Sequence, residues 1–327
     1  MRVLILGGTG GSGQACALEF LKQGHQVVLA GRDQAKLDAV VRQLGTPGAL
    51  TSVVVEVGRF ETLVAPFESA DVVIQGANPG YLGIVDKLPG LIDSVLEAAE
   101  ATGRSVVFLE GTYTYGKNPG KPVAEDSPPR PVSRKGEVKQ ACAEKIFAPK
   151  WKRSRFMIVR MPDYYGPTSQ LAYLDTTLQA MADKKFGVFI GGLRPPREYL
   201  YLPDAAERIV RLATDPTAFG QTWNLSGVRL SGQQIVELGR KHLGSKSGVW
   251  PLGPWAIHAL GWVDPFFREL AEMTYLLTDP LVLDGTKYAR AYGEPKNTDP
   301  AIGLGVTLDA LILRRQPAPD ASPPTTP

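Results

Sequence analysis

Two lysines four residues apart, Lys135 and Lys139 in the stretch SRKGEVKQACAE, have the spacing for proton chemistry. On a helix, residues i and i+4 share a face. One ammonium beside another disfavours the charged form, which pulls a lysine toward the range where it trades protons. A solvated lysine at a helix start accounts for Lys135 equally well. Phenols could offer the same service from Tyr113, Tyr115, Tyr164 and Tyr165. Tyr113 follows Thr112 just past an apolar run, while Tyr115 and Tyr165 also fit as packing groups within Tyr-Gly turns. A second chemical signal is LILGGTGGSGQ, residues 4–14, in which Gly8, Gly10 and Gly13 spell one glycine register and Gly7, Gly10 and Gly13 another. Glycine lets a backbone turn sharply and approach a pyrophosphate, and a helix N-terminus behind it offers free N–H groups to the anion. Thr9, Gly11 and Ser12 complete that loop.

The elements that must position these groups alternate along the chain. RVLIL (2–6), QVVLA (26–30), TSVVVEV (51–57), DVVIQ (71–75), SVVFLE (105–110) and RFMIVRM (155–161) read as buried strands. QACALEFLKQG (14–24), DQAKLDAVVRQLG (33–45) and LIDSVLEAAEATG (91–103) read as helices between them, with Asp33 as a candidate N-cap. This repetition predicts an α/β fold, a doubly wound parallel Rossmann sheet with helices on both faces and a smaller C-terminal substrate-binding lobe. The predicted division is a dinucleotide-binding domain over 1–165, with part of 190–225 returning to it, a substrate-binding lobe over most of 166–313, and a disordered Pro-rich tail over 314–327.

The tip of the second strand selects the cofactor. NAD binders place an acid there for the ribose hydroxyls. This chain has LAGRD, with Gly31 and then Arg32, and Lys36 four residues further on. Arg32 and Lys36 can pair with a 2′-phosphate, so the expected cofactor is NADP, with NAD as the alternative through Asp33.

Composition narrows the rest. A net charge of +3 over 327 residues is too weak a bias for nucleic acid. No window approaches the apolar run of a membrane span, and the first residues lack a signal-peptide pattern. The two cysteines, Cys16 and Cys142, form no Cys-x-x-Cys pair, and the three histidines (His25, His242, His258) lie outside every motif, so no metal site is expected. The expectation is a cytoplasmic monomer or homodimer whose partner is a small-molecule substrate.

The order of motifs resembles the extended short-chain dehydrogenase/reductase superfamily, in its NAD-dependent epimerase/dehydratase group, over roughly residues 1–225. The likeness rests on the glycine loop, on YTYGKNPGKPVAEDSPPRP for "VYG…P…E…P", on RMPDYYGP (160–167) for "R..N.YGP", and on REYLYLPDAAERI (197–209) for "RDYVHVDDVAEAI". It implies a Rossmann sheet with a small substrate lobe and a Ser/Thr–Tyr–Lys site whose Tyr and Lys form Y-x-x-x-K. Lys139 stands at the family's Lys and is implied to hold the nicotinamide ribose, but Lys135 stands where the Tyr should be. The Ser/Thr position falls at Gly111 or Thr112. The likeness also implies cofactor contacts at Gly76, Ala77 and Pro162, and an anion contact at Arg197.

Trp255, Ala259 and Trp262 fall on one helical face, which is either core or the lining of an apolar cleft. With Tyr165 and Trp255 in the cleft, the expected activity is NADP(H)-dependent reduction of a carbonyl or imine on an apolar or aromatic molecule. A nucleotide-sugar epimerase or dehydratase, and a non-catalytic NADP-binding regulator, are the alternatives.

Overall fold

The computed structural model describes residues 1–46, 48–170 and 172–314. Runs rich in Val, Ile and Leu that are buried on both faces become the central strands. In chain order the first half is β1 (Arg2–Leu6), α1 (Gly11–Lys22), β2 (Gln26–Gly31), α2 (Gln34–Leu44), β3 (Leu50–Val54), α3 (Phe60–Glu68), β4 (Val72–Gln75), α4 (Ile84–Thr102), β5 (Ser105–Glu110), α5 (Arg134–Ile146) and β6 (Phe156–Arg160). The remainder runs β7 (Asp163–Tyr165), α6 (Asp175–Ala182), β8 (Gly187–Ile190), β9 (Arg197–Tyr201), α7 (Leu202–Ala213), β10 (Thr222–Asn224), β11 (Val228–Leu230), α8 (Gly232–Leu243) and β12 (Val249–Leu252). It ends with α9 (Pro254–Leu260), α10 (Pro265–Ala271), α11 (Tyr275–Thr278), α12 (Thr286–Tyr292) and α13 (Pro300–Leu313).

Among the described residues the main sheet has seven parallel strands in the order β10-β6-β5-β4-β1-β2-β3. Chain direction across the sheet reverses beside β1, which opens a crevice at the carboxyl ends of β1 and β4. Phe20 of α1, Leu37 of α2 and Ile209 of α7 fill one face of the sheet. Phe67 of α3, Leu96 of α4 and Ile146 of α5 fill the other. This is the doubly wound α/β arrangement expected from the strand–helix alternation. Asp33 caps α2 by accepting from the Lys36 backbone N–H at 3.1 Å, and Gly45 closes the helix in the left-handed conformation at φ 61°.

The second half builds a smaller set of layers. β9 pairs parallel with β7 and antiparallel with β11, and β12 pairs parallel with β8. A third core joins Leu178, Phe189, Tyr199, Ile235 and Leu308. β10 returns to the main sheet beside β6, where the Tyr115 hydroxyl donates to Asn224 Oδ1 at 2.8 Å. Arg314, read from the sequence as the start of a tail, instead ends α13, and its guanidinium donates to the Pro167 and Ser169 carbonyls. Residues 315–327 of that predicted tail lie outside the described residues.

Candidate functional site

The glycine loop sits between β1 and α1, and close approaches dictate its composition. Gly7 has φ 77°, and a Cβ there would lie 2.7 Å from the Ala77 nitrogen. A Cβ on Gly13 would come within 2.5 Å of the Gly7 carbonyl oxygen. Gly10 differs, because a side chain there would meet only the Gly7 oxygen at 3.3 Å, leaving its outer side open. Gly8 packs on Leu29 and Gly11 on the Thr168 carbonyl, so residues outside either register are also barred from larger side chains. Gly10 is the N-cap of α1 and supplies no side-chain acceptor, so the first-turn N–H groups are left for an anion. Gly7→Ala should lower dinucleotide affinity at least roughly tenfold, since it forces a disfavoured backbone and displaces the facing loop. A titration of cofactor fluorescence that gave an unchanged Kd would contradict this.

That facing loop is the one after β4. Gln75 is buried and holds it with two bonds to Ala77, at 2.9 and 3.3 Å, while the Gly76 N–H donates to the Leu6 carbonyl at 3.0 Å. Gly76 and Ala77 therefore lie against the glycine loop. Thr168 Oγ1 donates to the Gly11 carbonyl at 2.9 Å, and Gln14 Nε2 donates to the Thr9 carbonyl at 2.8 Å. Ser12 lies beside the Tyr164 phenol, which burial pushes up to about 12. At the tip of β2, beside Gly31, Arg32 is exposed and makes no hydrogen bond or ion pair among the described residues. Lys36 Nζ stands 3.8 Å from Asp33.

A set of ionisable side chains meets at the carboxyl ends of β5 and β6. Glu110 and Arg160 are register partners, so residues 111–113 leave the sheet beside residues 161–163. This puts Thr112 and Tyr113 next to Pro162 and Asp163. Thr112 and Pro162 are buried. Asp163 Oδ1 accepts from the Tyr164 N–H at 3.0 Å, but its other oxygen is out of solvent and has no partner. Burial pushes the Asp163 carboxyl up to about 6, with Arg197 and the Tyr164 N–H pulling the other way. The Tyr113 phenol is held well above its usual value by burial first, and then by neighbours that include Tyr173, Asp163 and Tyr275. The Tyr173 and Tyr81 hydroxyls are 3.1 Å apart, and the Tyr199 and Tyr275 hydroxyls are buried without partners. Asp163 escaped the sequence reading, although an acid at the "R..N.YGP" asparagine was a legible signal. Tyr81 and Tyr173 carry no motif, and only the fold gathers them.

Lys139 is 7 % exposed on α5, and its ammonium makes no hydrogen bond or ion pair among the described residues. Its stem is buried while its unpaired ammonium keeps access to solvent, which leaves it free to meet a polar ligand. Lys135 is a correction. Its side chain is fully buried and forms ion pairs with Glu269 and, at 2.9 Å, with Glu272. It lies 4.9 Å over the Tyr81 ring, and Glu272 also accepts from the Arg134 N–H. The lysine is a latch that fastens the α10 end to the start of α5. Two carboxylates, rather than Lys139, set its environment.

The proposed substrate contacts divide. Arg197 is buried between the Phe189 and Tyr199 rings, at 4.8 and 5.5 Å, and directs its charge at Asp163. Tyr165 is a second correction, because it is wholly buried in the third core, 5.4 Å from the Tyr201 ring. Trp255 is 84 % exposed and takes no place in the core. The 250–283 stretch folds as three short helices, the first two separated at Gly261 and Pro265, and Ile257, Leu270 and Leu277 take the buried positions.

A glycine cradle at the end of β1, the topological switch beside it, and polar side chains converging at the ends of β5 and β6 belong to a Rossmann-type α/β fold extended by the smaller sheets of the second half. The model of the NAD dependent epimerase/dehydratase family matches residues 3–226, and the chain belongs to that family. Solved structures share its fold. A UDP-glucuronic acid 4-epimerase from Bacillus cereus, bound to UDP-glucuronic acid and NAD, is 18% identical with TM-score 0.77 over 96% of this chain and 100% of that one. A dTDP-glucose 4,6-dehydratase double mutant from Streptomyces venezuelae, with NAD bound, is 18% identical with TM-score 0.78 over 97% of this chain and 98% of that one. A UDP-glucose 4-epimerase from Thermotoga maritima is 18% identical with TM-score 0.75 over 96% and 99%. No curated protein sequence matches the chain.

Proposed function

We propose that this protein is a nicotinamide-dependent oxidoreductase acting on a ring-bearing small molecule beside Asp163 and the tyrosines gathered around it. The observation that carries the reading is the buried, unpartnered Asp163 Oδ2 beside Tyr113, at the strand ends next to the glycine cradle. The cradle fits a dinucleotide, because Gly7 and Gly13 leave no room for side chains while Gly10 stays open. When bound, the nicotinamide supplies or accepts a hydride.

The chain's own groups do the rest. The loop and the N-terminus of α1 hold the pyrophosphate, and Lys139 holds the ribose. Tyr113 keeps its proton and donates a hydrogen bond to the substrate oxygen, stabilising charge that develops there. Asp163, poised near neutral, gives a proton to that oxygen in reduction and takes it in oxidation. Substrate-dependent NADPH oxidation across a panel of aromatic and alicyclic carbonyls, lost on Lys139→Ala, is the expected result. A panel with no turnover contradicts the reading.

Arg32 supports NADP as the cofactor. Arg32→Ala should weaken NADPH binding roughly 10- to 100-fold, the worth of a charge-assisted bond, and leave NADH binding unchanged. Equal losses for both cofactors would remove the basis for this assignment.

A second reading, a nucleotide-sugar epimerase or dehydratase, is supported more directly by the family and its structural relatives. It predicts a thermal shift with UDP or dTDP that disappears on Arg197→Ala.

A further inference from the structure

The outer side of the segment from β12 into α10 carries large apolar groups in water. Trp255 and Trp262 are 84% and 86% exposed, and Val263 is 80% exposed. Trp250 is also exposed, lies tilted against Phe186 with ring centroids 6.3 Å apart, and is the register partner of Val188. Monomers seldom leave an apolar patch this large without a use. Tryptophan concentrates where water meets hydrocarbon, because its ring is apolar and its N–H is polar.

The rim is basic. Lys184 and Lys185 precede Phe186, and Lys246 lies two residues before Gly248, on which the Phe186 ring packs; all three lysines are exposed. The nearby carboxylates are engaged. Asp183 is turned inward, accepts from Gln179 at 2.8 Å and stands 3.8 Å from the Nζ of Lys185, whose own side chain stays largely in water. Asp264 caps α10 through the Phe266 N–H at 2.7 Å, and Lys135 holds Glu269.

We propose that this face docks on the surface of an anionic phospholipid bilayer, with Trp250, Trp255 and Trp262 at headgroup depth and the three lysines against the lipid charges. No helix among the described residues is long and apolar enough to cross a membrane, and the contact is peripheral. A second copy fits the face less well, since a two-fold interface would gather two sets of these lysines with no spare carboxylate between them. The proposal stands whether or not the proposed reaction does. If both hold, docking sets α10, whose inner side fastens to Lys135, against a bilayer that concentrates apolar substrates.

The test sediments the full chain with vesicles of phosphatidylcholine alone and with vesicles rich in phosphatidylserine. Binding is expected to the anionic vesicles, with a blue shift of tryptophan emission and loss at high salt. Trp255→Ser with Trp262→Ser should cut partitioning at least roughly tenfold by removing the interfacial anchors. Lys184→Glu, Lys185→Glu and Lys246→Glu together should cut it roughly a hundredfold. Both variants change only surface groups, and unchanged melting and dinucleotide binding would verify their folds. Protein left in the supernatant with both vesicle types overturns the proposal. If ultracentrifugation then finds a dimer that the tryptophan variant splits, the face belongs to a second copy.

Discussion

Asp163→Asn should bring turnover down roughly 10²- to 10⁴-fold, the usual worth of a positioned acid or base, while dinucleotide affinity stays unchanged. The same variant should be more stable than the parent at neutral pH. In the unfolded chain this carboxyl titrates near 3.8, and in the fold near 6. Between those values the native state keeps a proton that the unfolded state has released. The stability this contributes is therefore full below 3.8 and drains away as pH rises through about 6. The swing is up to about 3 kcal/mol, at 1.4 kcal/mol for each unit. An amide cannot ionise, so the variant's melting temperature should lose the downward step across this window. Reduction by the parent should also slow as pH climbs through 6, and the variant's residual rate should not follow that limb. A variant within threefold of the parent, with the same pH profile, would assign the proton to another group.

The second large effect belongs to Lys135→Ala. Removing the latch leaves Glu269 and Glu272 facing each other without their cation. A fully buried pair broken this way costs about 3–5 kcal/mol, but these carboxylates keep partial access to water, so about 2–3 kcal/mol is expected. Melting should fall by roughly 3–5 °C in a chain of 327 residues. Catalysis should suffer far less, by under roughly tenfold in kcat, because the ammonium is spent on the two glutamates and faces no reacting atom. Adding Glu269→Gln and Glu272→Gln to Lys135→Met should recover much of the stability, since no uncompensated charge remains. A thousandfold loss of kcat in Lys135→Ala with melting intact would return the lysine to the catalytic machinery.

The parallel sheet was legible because its strands are short apolar runs spaced by helix-length segments, and the cradle because three glycines follow the first run. Both signals are local. Lys135 shows where local reading stops. Its spacing from Lys139 holds in the helix, yet the groups that govern it are Glu269 and Glu272, more than 130 residues away. Tyr165 was drawn to the cleft by its motif, but strand alternation turns it into the third core. The Trp255 face has helical periodicity, and periodicity alone cannot tell a buried stripe from one that awaits a partner. Asp163 was missed for the opposite reason. The acid at the motif's asparagine could be read, but it leaves the apolar periodicity untouched, and only enclosure by the tyrosines makes it chemically distinct.

The carbonyls of Thr9 and Gly11, on the glycine loop, are held by Gln170 and Thr168, whose own segment is tied down by Arg314. A dinucleotide that fixes the loop must therefore also favour one position of the 167–170 strand of chain. By reciprocity, any substrate that orders this segment must tighten dinucleotide binding by the same factor by which the dinucleotide tightens substrate binding. The order in which the two ligands arrive can change the rates, but not that shared factor.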